Sequence, residues 1–284
     1  MEIINRRQRM FSISRKLRRE EKTVGFVPTM GALHAGHLAL VQEARAANDI
    51  VVVSIFVNPT QFNNKGDLEK YPRDLTADAA LLTEYDVDYI FAPEEHEIYG
   101  EGFSTYVNVE GITDTLEGAS RPGHFRGVAT IVTILFNTVR PDRAYFGQKD
   151  AQQVAVIRRL TADLGFETEV VVMPTIREAS GLAMSSRNER LSAEERGKAV
   201  VLINALREAK LAFKKGERNA SVLAQIVRDT VATEPLATID YVAVIDRDSL
   251  QPIEKIGDGE ALIAIAAEFA GVRLIDNVIL NRKQ

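Results

Sequence analysis

The chain has 284 residues, with 35 Lys and Arg against 40 Asp and Glu, a formal charge of −5, and neither Cys nor Trp. That length supplies ample core for one large or two modest domains, and 45% hydrophobic with 26% charged residues argues against disorder. The acidic balance argues against a nucleic-acid or anionic-membrane partner, and the missing cysteines exclude disulfides, thiolate nucleophiles and Cys-based metal centres while fitting a reducing cytoplasm.

The first segment is rich in cations: Arg6, Arg7, Arg9, Arg15, Lys16, Arg18 and Arg19. No apolar stretch follows, which argues against a signal peptide, and Glu2, Glu20 and Glu21 argue against a transit peptide. A solvated first helix is expected there. No run approaches the roughly 18–20 apolar residues that a membrane-spanning helix needs.

Strand-like runs then alternate with amphipathic ones. The strands are expected at 24–27, 50–57, 89–92, 143–146 and 169–173, and the helices at 37–47, 75–85, 127–139 and 151–164. This alternation predicts parallel strands with crossover helices, a doubly wound α/β domain over residues 1–175. Ligands of such domains sit at the carboxyl ends of the strands. After about Thr175 the pattern changes. Ser192 and Glu195 form a capping-box pair opening one long helix to about Lys215, stopped by Gly216. A helix at 220–232 and strands at 239–245, 261–267 and 273–280 follow, so residues 176–284 are expected to form a smaller α+β domain. The polar stretch 177–188 between the two blocks suits a hinge.

Four stretches at strand ends or in the hinge carry chemistry. Met30-Gly31-Ala32-Leu33-His34-Ala35-Gly36-His37 follows the first expected strand and enters a helix. Three residues apart, His34 and His37 share a helix face, where free amides and the helix dipole favour an anion. Two imidazoles there can donate hydrogen bonds to phosphate oxygens. The stretch is neither G-x-G-x-x-G nor a Walker A loop. Helix capping and a zinc pair are the competing readings; zinc would need further ligands, and neither His96 nor His124 brings a partner set. In Asn58-Pro59-Thr60-Gln61-Phe62 the Gln61 amide suits a ligand bearing a hydroxyl and a carboxylate, although alone the stretch reads as a turn. Gly147-Gln148-Lys149-Asp150, followed by Gln152-Gln153, places a cation at a helix start, against the dipole, which a bound polyphosphate would reverse. Met184-Ser185-Ser186-Arg187-Asn188 can close hydroxyls and a guanidinium over phosphates.

Together with Tyr71-Pro72-Arg73-Asp74 and the Glu117–Gly127 loop, these stretches resemble the pantoate–beta-alanine ligase (pantothenate synthetase) family, within the class I synthetase and nucleotidylyltransferase superfamily that shares HxGH. The resemblance implies a Rossmann-like ATP domain, a smaller C-terminal lid, a cytoplasmic homodimer, and ATP used with Mg²⁺ as a substrate. It implies condensation of (R)-pantoate with beta-alanine through pantoyl adenylate, giving pantothenate, AMP and pyrophosphate. Carried over, His37, His34, Lys149 and Arg187 are the catalytic set. Met30–His37, Gly147, Gln148, Lys149, Asp150, Ile176, Met184, Ser185, Ser186 and Arg187 would bind ATP, and Gln61 and Gln153 would hold pantoate. Position 148 is Gln where the family commonly has Glu. No magnesium ligand is assigned, Asp78 being only a candidate, and Arg121 and His124 in the Gly-rich loop receive no role. A nucleotidylyltransferase and a non-catalytic nucleotide-binding protein stand as the alternatives. The first explains the histidine pair but not the two Gln positions, and the second would not need His34, His37, Lys149 and Arg187 together.

Overall fold

A computed structural model describes residues 1–281 and divides the chain into two compact units. One unit holds Met1–Gln148 and Gln152–Pro174; the other holds Lys149–Ala151 and everything from Thr175 onward.

In the first unit the strands are β1 (Glu2–Ile4), β2 (Val24–Thr29), β3 (Ile50–Ile55), β4 (Tyr89–Phe91), β5 (Arg143–Gly147) and β6 (Glu169–Met173). They form one wholly parallel sheet in the order β1-β4-β3-β2-β5-β6. The helices are α1 (Arg7–Arg19), α2 (Ala35–Ala47), α3 (Lys65–Glu69), α4 (Leu75–Thr83), α5 (Glu95–Ile98), α6 (Glu117–Ser120), α7 (His124–Val139) and α8 (Ala151–Asp163). Alternate residues of each strand face opposite layers. Val27, Val51, Val53, Ile90 and Tyr145 pack with Val41 and Ala44 of α2 and Leu82 of α4. On the opposite face the Phe26 ring meets Phe136 of α7 edge-on at 6.4 Å. Helices on both faces of a parallel sheet make the doubly wound architecture that the alternation predicts. The strand order reverses between β2 and β5, the position at which sheets of this kind bind their ligands.

Three local expectations are corrected. The amino terminus begins with β1, an edge strand pairing Glu2, Ile3 and Ile4 with Tyr89, Ile90 and Phe91. The helix after it is not simply solvated: Met10, Ile13, Ser14 and Leu17 are buried, and half-buried Arg7 donates from Nε to Thr138 Oγ1 at 3.2 Å, while Arg9, Arg15, Lys16, Arg18 and Arg19 are exposed. The second expected strand ends at Ile55, two residues early, because the backbone turns into the Asn58–Gln61 segment.

The second unit contains α9 (Ala193–Lys198), α10 (Val201–Lys214), α11 (Ala220–Val231) and the antiparallel sheet β7 (Ala237–Asp246), β8 (Ala261–Phe269), β9 (Val272–Leu280). Leu202, Leu206 and Phe213 of α10 and Leu223 and Val227 of α11 share a core with Val244, Ile263 and Ile265. Ser192 and Glu195 do form the capping box. The long helix they open is broken at Ala199 and Val200, where the ladder tightens to a Leu202 N–H to Ala199 carbonyl bond at 3.2 Å.

Within the polar stretch 177–188 the backbone folds back on itself as a short hairpin, with Arg177 bridged to Ala183. Glu178 N–H donates to Leu182 O at 2.8 Å, and Met184 N–H to Ile176 O at 3.0 Å. Arg177 makes a two-pronged pair with buried Asp276 at 2.7 and 2.9 Å. Such a paired fork fixes direction as well as distance.

Candidate active site

The loop after β2 is built almost wholly from amides held by side chains. Gly31 N–H donates to Thr29 Oγ1 at 3.1 Å, Ala32 N–H to Asp78 Oδ2 at 3.0 Å, Leu33 N–H to Asp78 Oδ1 at 2.8 Å, and His34 N–H to His37 Nδ1 at 3.4 Å. His34 is the N-cap of α2, its Nδ1 accepting from Gly36 N–H at 3.1 Å. The expectation of free amides around this motif is therefore corrected: the loop uses most of them on itself. A capping role and a chemical one are not rivals here. Because both Nδ1 atoms accept a main-chain N–H, both imidazoles carry their hydrogen on Nε2. The rings stack with centroids 4.1 Å apart and 31° between planes, so the two Nε2–H donors belong to one surface.

Asn58 links Gln61 to Thr60 and Tyr99. Asn58 Nδ2 donates to Gln61 Oε1 at 3.0 Å and to Gly127 O at 3.2 Å, while Asn58 Oδ1 accepts from Tyr99 at 2.6 Å and Thr60 at 2.9 Å. Burial, against the Thr60 hydrogen bond, pushes the Tyr99 phenol up to about 12, so it stays a donor. With Oε1 occupied, Gln61 presents Nε2, which reaches Met30 Sδ at 3.1 Å. The Gln61 carbonyl accepts from His124 Nδ1 at 2.9 Å and from Arg121 at 3.4 Å. Arg121 and His124 thus hold Gln61 in place. Gln152 is structural: its amide donates to Ile112 O and Thr115 O and accepts from Glu117 N–H, while half-buried Gln153 is one residue on. Gly147 and Gln148 close this unit's set, at the end of β5.

The second unit holds Lys149, Asp150, Ile176 and Met184–Arg187. Lys149 Nζ lies 3.9 Å from Asp150 Oδ1, and Asn277 Nδ2 donates to the Lys149 carbonyl at 2.9 Å. Ile176 O is taken by Met184 N–H. Ser185 caps a short helical turn at Ser186–Arg190 by accepting from Arg187 N–H at 3.2 Å. That turn is braced by Asn188, which donates to Glu178 at 2.6 Å and Ala183 O at 3.0 Å. Burial raises the Glu178 carboxyl, but its bonds from Arg196 and Asn188 outweigh that and leave it below the usual carboxylate range.

A family model described as pantoate-beta-alanine ligase matches residues 2–279. The chain belongs to that family. A pantothenate synthetase of Heliobacterium modesticaldum is 54% identical, over 99% of this chain and all of that one. A crystal structure of the Thermus thermophilus pantothenate synthetase aligns with TM-score 0.92 and 48% identity, covering 98% of this chain and 99% of that one. The Francisella tularensis pantoate-beta-alanine ligase, complexed with beta-gamma ATP and beta-alanine, aligns with TM-score 0.81 and 37% identity over 98% of this chain and 97% of that one.

Several residues that hold the motif side chains in place lie elsewhere in the chain. Asp78, Tyr99, Arg121 and His124 are such supports. The sequence singles out Asn58 within its motif, and Asp78, Arg121 and His124 without a supporting role, but it offers no signal for Tyr99. The described residues hold no cluster of three metal-ligating side chains, and both Asp78 oxygens already accept amides. They do not fit a protein-built magnesium cage.

Proposed function

We propose that the chain condenses (R)-pantoate with beta-alanine, converting ATP to AMP and pyrophosphate through a pantoyl adenylate. The observation that carries this reading is the pair of Nε2–H donors of His34 and His37, at the carboxyl end of β2 beside the reversal of strand order. A pantoate carboxylate oxygen attacks the α-phosphorus, and the bond to the pyrophosphate oxygen breaks. Negative charge grows on the non-bridging oxygens, where two fixed donors are worth most, about 3 kcal/mol each by analogy with other oxyanion sites. The nucleophile is already ionised, so the histidines need not act as bases. Gln61 donates through Nε2, which suits a carboxylate or hydroxyl oxygen of pantoate, with Gln153 as its second amide.

In the second step the beta-alanine amine attacks the acyl carbon, AMP leaves, and the nitrogen gives up a proton. Lys149 and Arg187 neutralise phosphate charge, Ser185 and Ser186 grip the outer phosphates, and Ile176 offers main-chain contact to adenine. The C-terminal unit acts as a lid, excluding water from an acyl adenylate prone to hydrolysis. Mg²⁺ arrives as part of the ATP substrate, on its phosphate oxygens, as this hard cation commonly does. The family resemblance supports a homodimer working in the cytoplasm. None of the described helices is long and apolar enough to cross a membrane.

A nucleotidylyltransferase would share the histidine loop, but the family match over residues 2–279 takes in both units and disfavours it. The test is exchange of labelled pyrophosphate into ATP without beta-alanine. Exchange that needs pantoate is expected; exchange indifferent to pantoate would overturn the reading.

A further inference from the structure

Four successive amides, from Gly31 to His34, each donate to a side-chain acceptor, and Asp78 supplies the middle two. The loop needs holding. Gly31 and Ala32 lie at φ +82° and +51°, and an alanine in the left-handed region brings its Cβ against the following carbonyl. Nothing in the local sequence stabilises that turn except what is bonded to it. Asp78 sits in the first turn of α4, whose N-cap, Asp74, accepts from Ala77 N–H at 2.9 Å. It is only 4% exposed, and its two oxygens straddle Ala32 and Leu33 at 3.0 and 2.8 Å. The next residue is His34, whose amide fixes the His37 ring and whose own ring caps α2. A slip of the Ala32–Leu33 peptides therefore moves both imidazoles.

We propose that Asp78 is a positioning residue for His34 and His37, its carboxylate clamping the left-handed turn from which both imidazoles are aimed. It touches no substrate and works through the loop. Gly31 belongs to the same device: a Cβ there would come within 2.9 Å of Asp78 Oδ2, in addition to its positive φ. Asp78→Asn keeps the shape but turns an amide N–H₂ against one of the two loop N–H groups, so that bond is lost and its two donors oppose each other.

The inference builds on the proposed function, and its test separates the two. The full chain carrying ¹⁵N-labelled histidine is examined by NMR without ligands, alongside steady-state kinetics and calorimetric titration with Mg²⁺ alone. Wild type should show His34 and His37 as Nε2–H tautomers. Asp78→Asn should convert both to mixed tautomers and lower kcat on the order of 100-fold while leaving KM for pantoate unchanged, the signature of misaimed rather than missing groups. Gly31→Ala should give the same tautomer change, which covers the case of a poorly folding Asp78 variant. Unchanged histidine signals in both variants would overturn the proposal. So would Mg²⁺ binding by the wild type that Asp78→Asn abolishes, which would make Asp78 a cation ligand. A wild type with the expected tautomers but no ligase activity would overturn the functional reading and leave the clamp standing.

Discussion

The main-chain N–H of His34 donates to Nδ1 of His37 at 3.4 Å, and the two rings stack 4.1 Å apart. One histidine thus sets the tautomer of the other, and each ring caps through Nδ1 while leaving Nε2–H to face outward. Replacing His37 leaves the His34 amide without its acceptor and, on the proposed role, removes a donor to the α-phosphate. His37→Ala should lower turnover by about 10²–10³-fold, the usual loss for one oxyanion donor. Calorimetry with pantoate should show almost unchanged binding. Loss of pantoate affinity instead would assign His37 to binding.

Asn58 is 1% exposed and supplies the hydrogen bond that fixes which end of the Gln61 amide faces outward. Asn58→Asp replaces the Nδ2 donor with an oxygen facing Gln61 Oε1, which favours a flipped amide presenting its oxygen. KM for pantoate should rise while KM for ATP stays near the wild-type value. Loss of a buried bonded amide should also cost about 1–3 kcal/mol of stability, measurable by denaturant titration.

Tyr99 gives a pH-dependent test. Its phenol is raised from 10.0 to about 12, chiefly by burial, and it donates to Asn58 at 2.6 Å. A folded pKa above the unfolded one means that the neutral form is favoured in the fold. The stability it contributes is fully present below pH 10 and is lost as pH rises from 10 toward 12. Denaturant unfolding at pH 8 and pH 11 should therefore show a larger alkaline loss for wild type than for Tyr99→Phe. Equal losses would show that Tyr99 ionises as freely in the fold as outside it.

Gly127 lies within α7, where alanine would ordinarily gain about 1 kcal/mol of helix propensity. A Cβ at this position would fall 2.5 Å from Thr60 O and 2.7 Å from Gln61 N, both main-chain atoms that cannot rotate away. Overpacking against backbone costs about 1–3 kcal/mol or more, so the clash wins. Gly127→Ala should lower Tm, and pantoate KM should rise with it because Gln61 is displaced.

The parts of this molecule that were legible in the sequence are those whose signals are local. Strands β2 to β6 and helices α2, α4, α7 and α8 of the first unit followed from periodicity, and the capping box of Ser192 and Glu195 from spacing. The histidine loop was legible because its residues adjoin. The clamp was not: Asp78 stands 46 residues from Ala32, and no spacing rule links them. The same holds for Tyr99, 41 residues from Asn58. β1 escaped because three residues with only Ile4 buried carry no period. The break at Ala199 escaped because both flanking segments have good helical patterns, and the break is a tightening of the ladder rather than a Gly-Pro stop.

The most direct measurement of the central claim follows oxygen rather than rate. Pantoate labelled with ¹⁸O in its carboxylate is turned over with ATP and beta-alanine, and the nucleotide product is analysed by mass spectrometry. Attack by the carboxylate on the α-phosphorus, followed by amine attack on the acyl carbon, requires one ¹⁸O to leave in AMP and the other to remain in the amide. Label in AMP is the predicted result. Unlabelled AMP, or ADP with the label in inorganic phosphate, would contradict the adenylate route.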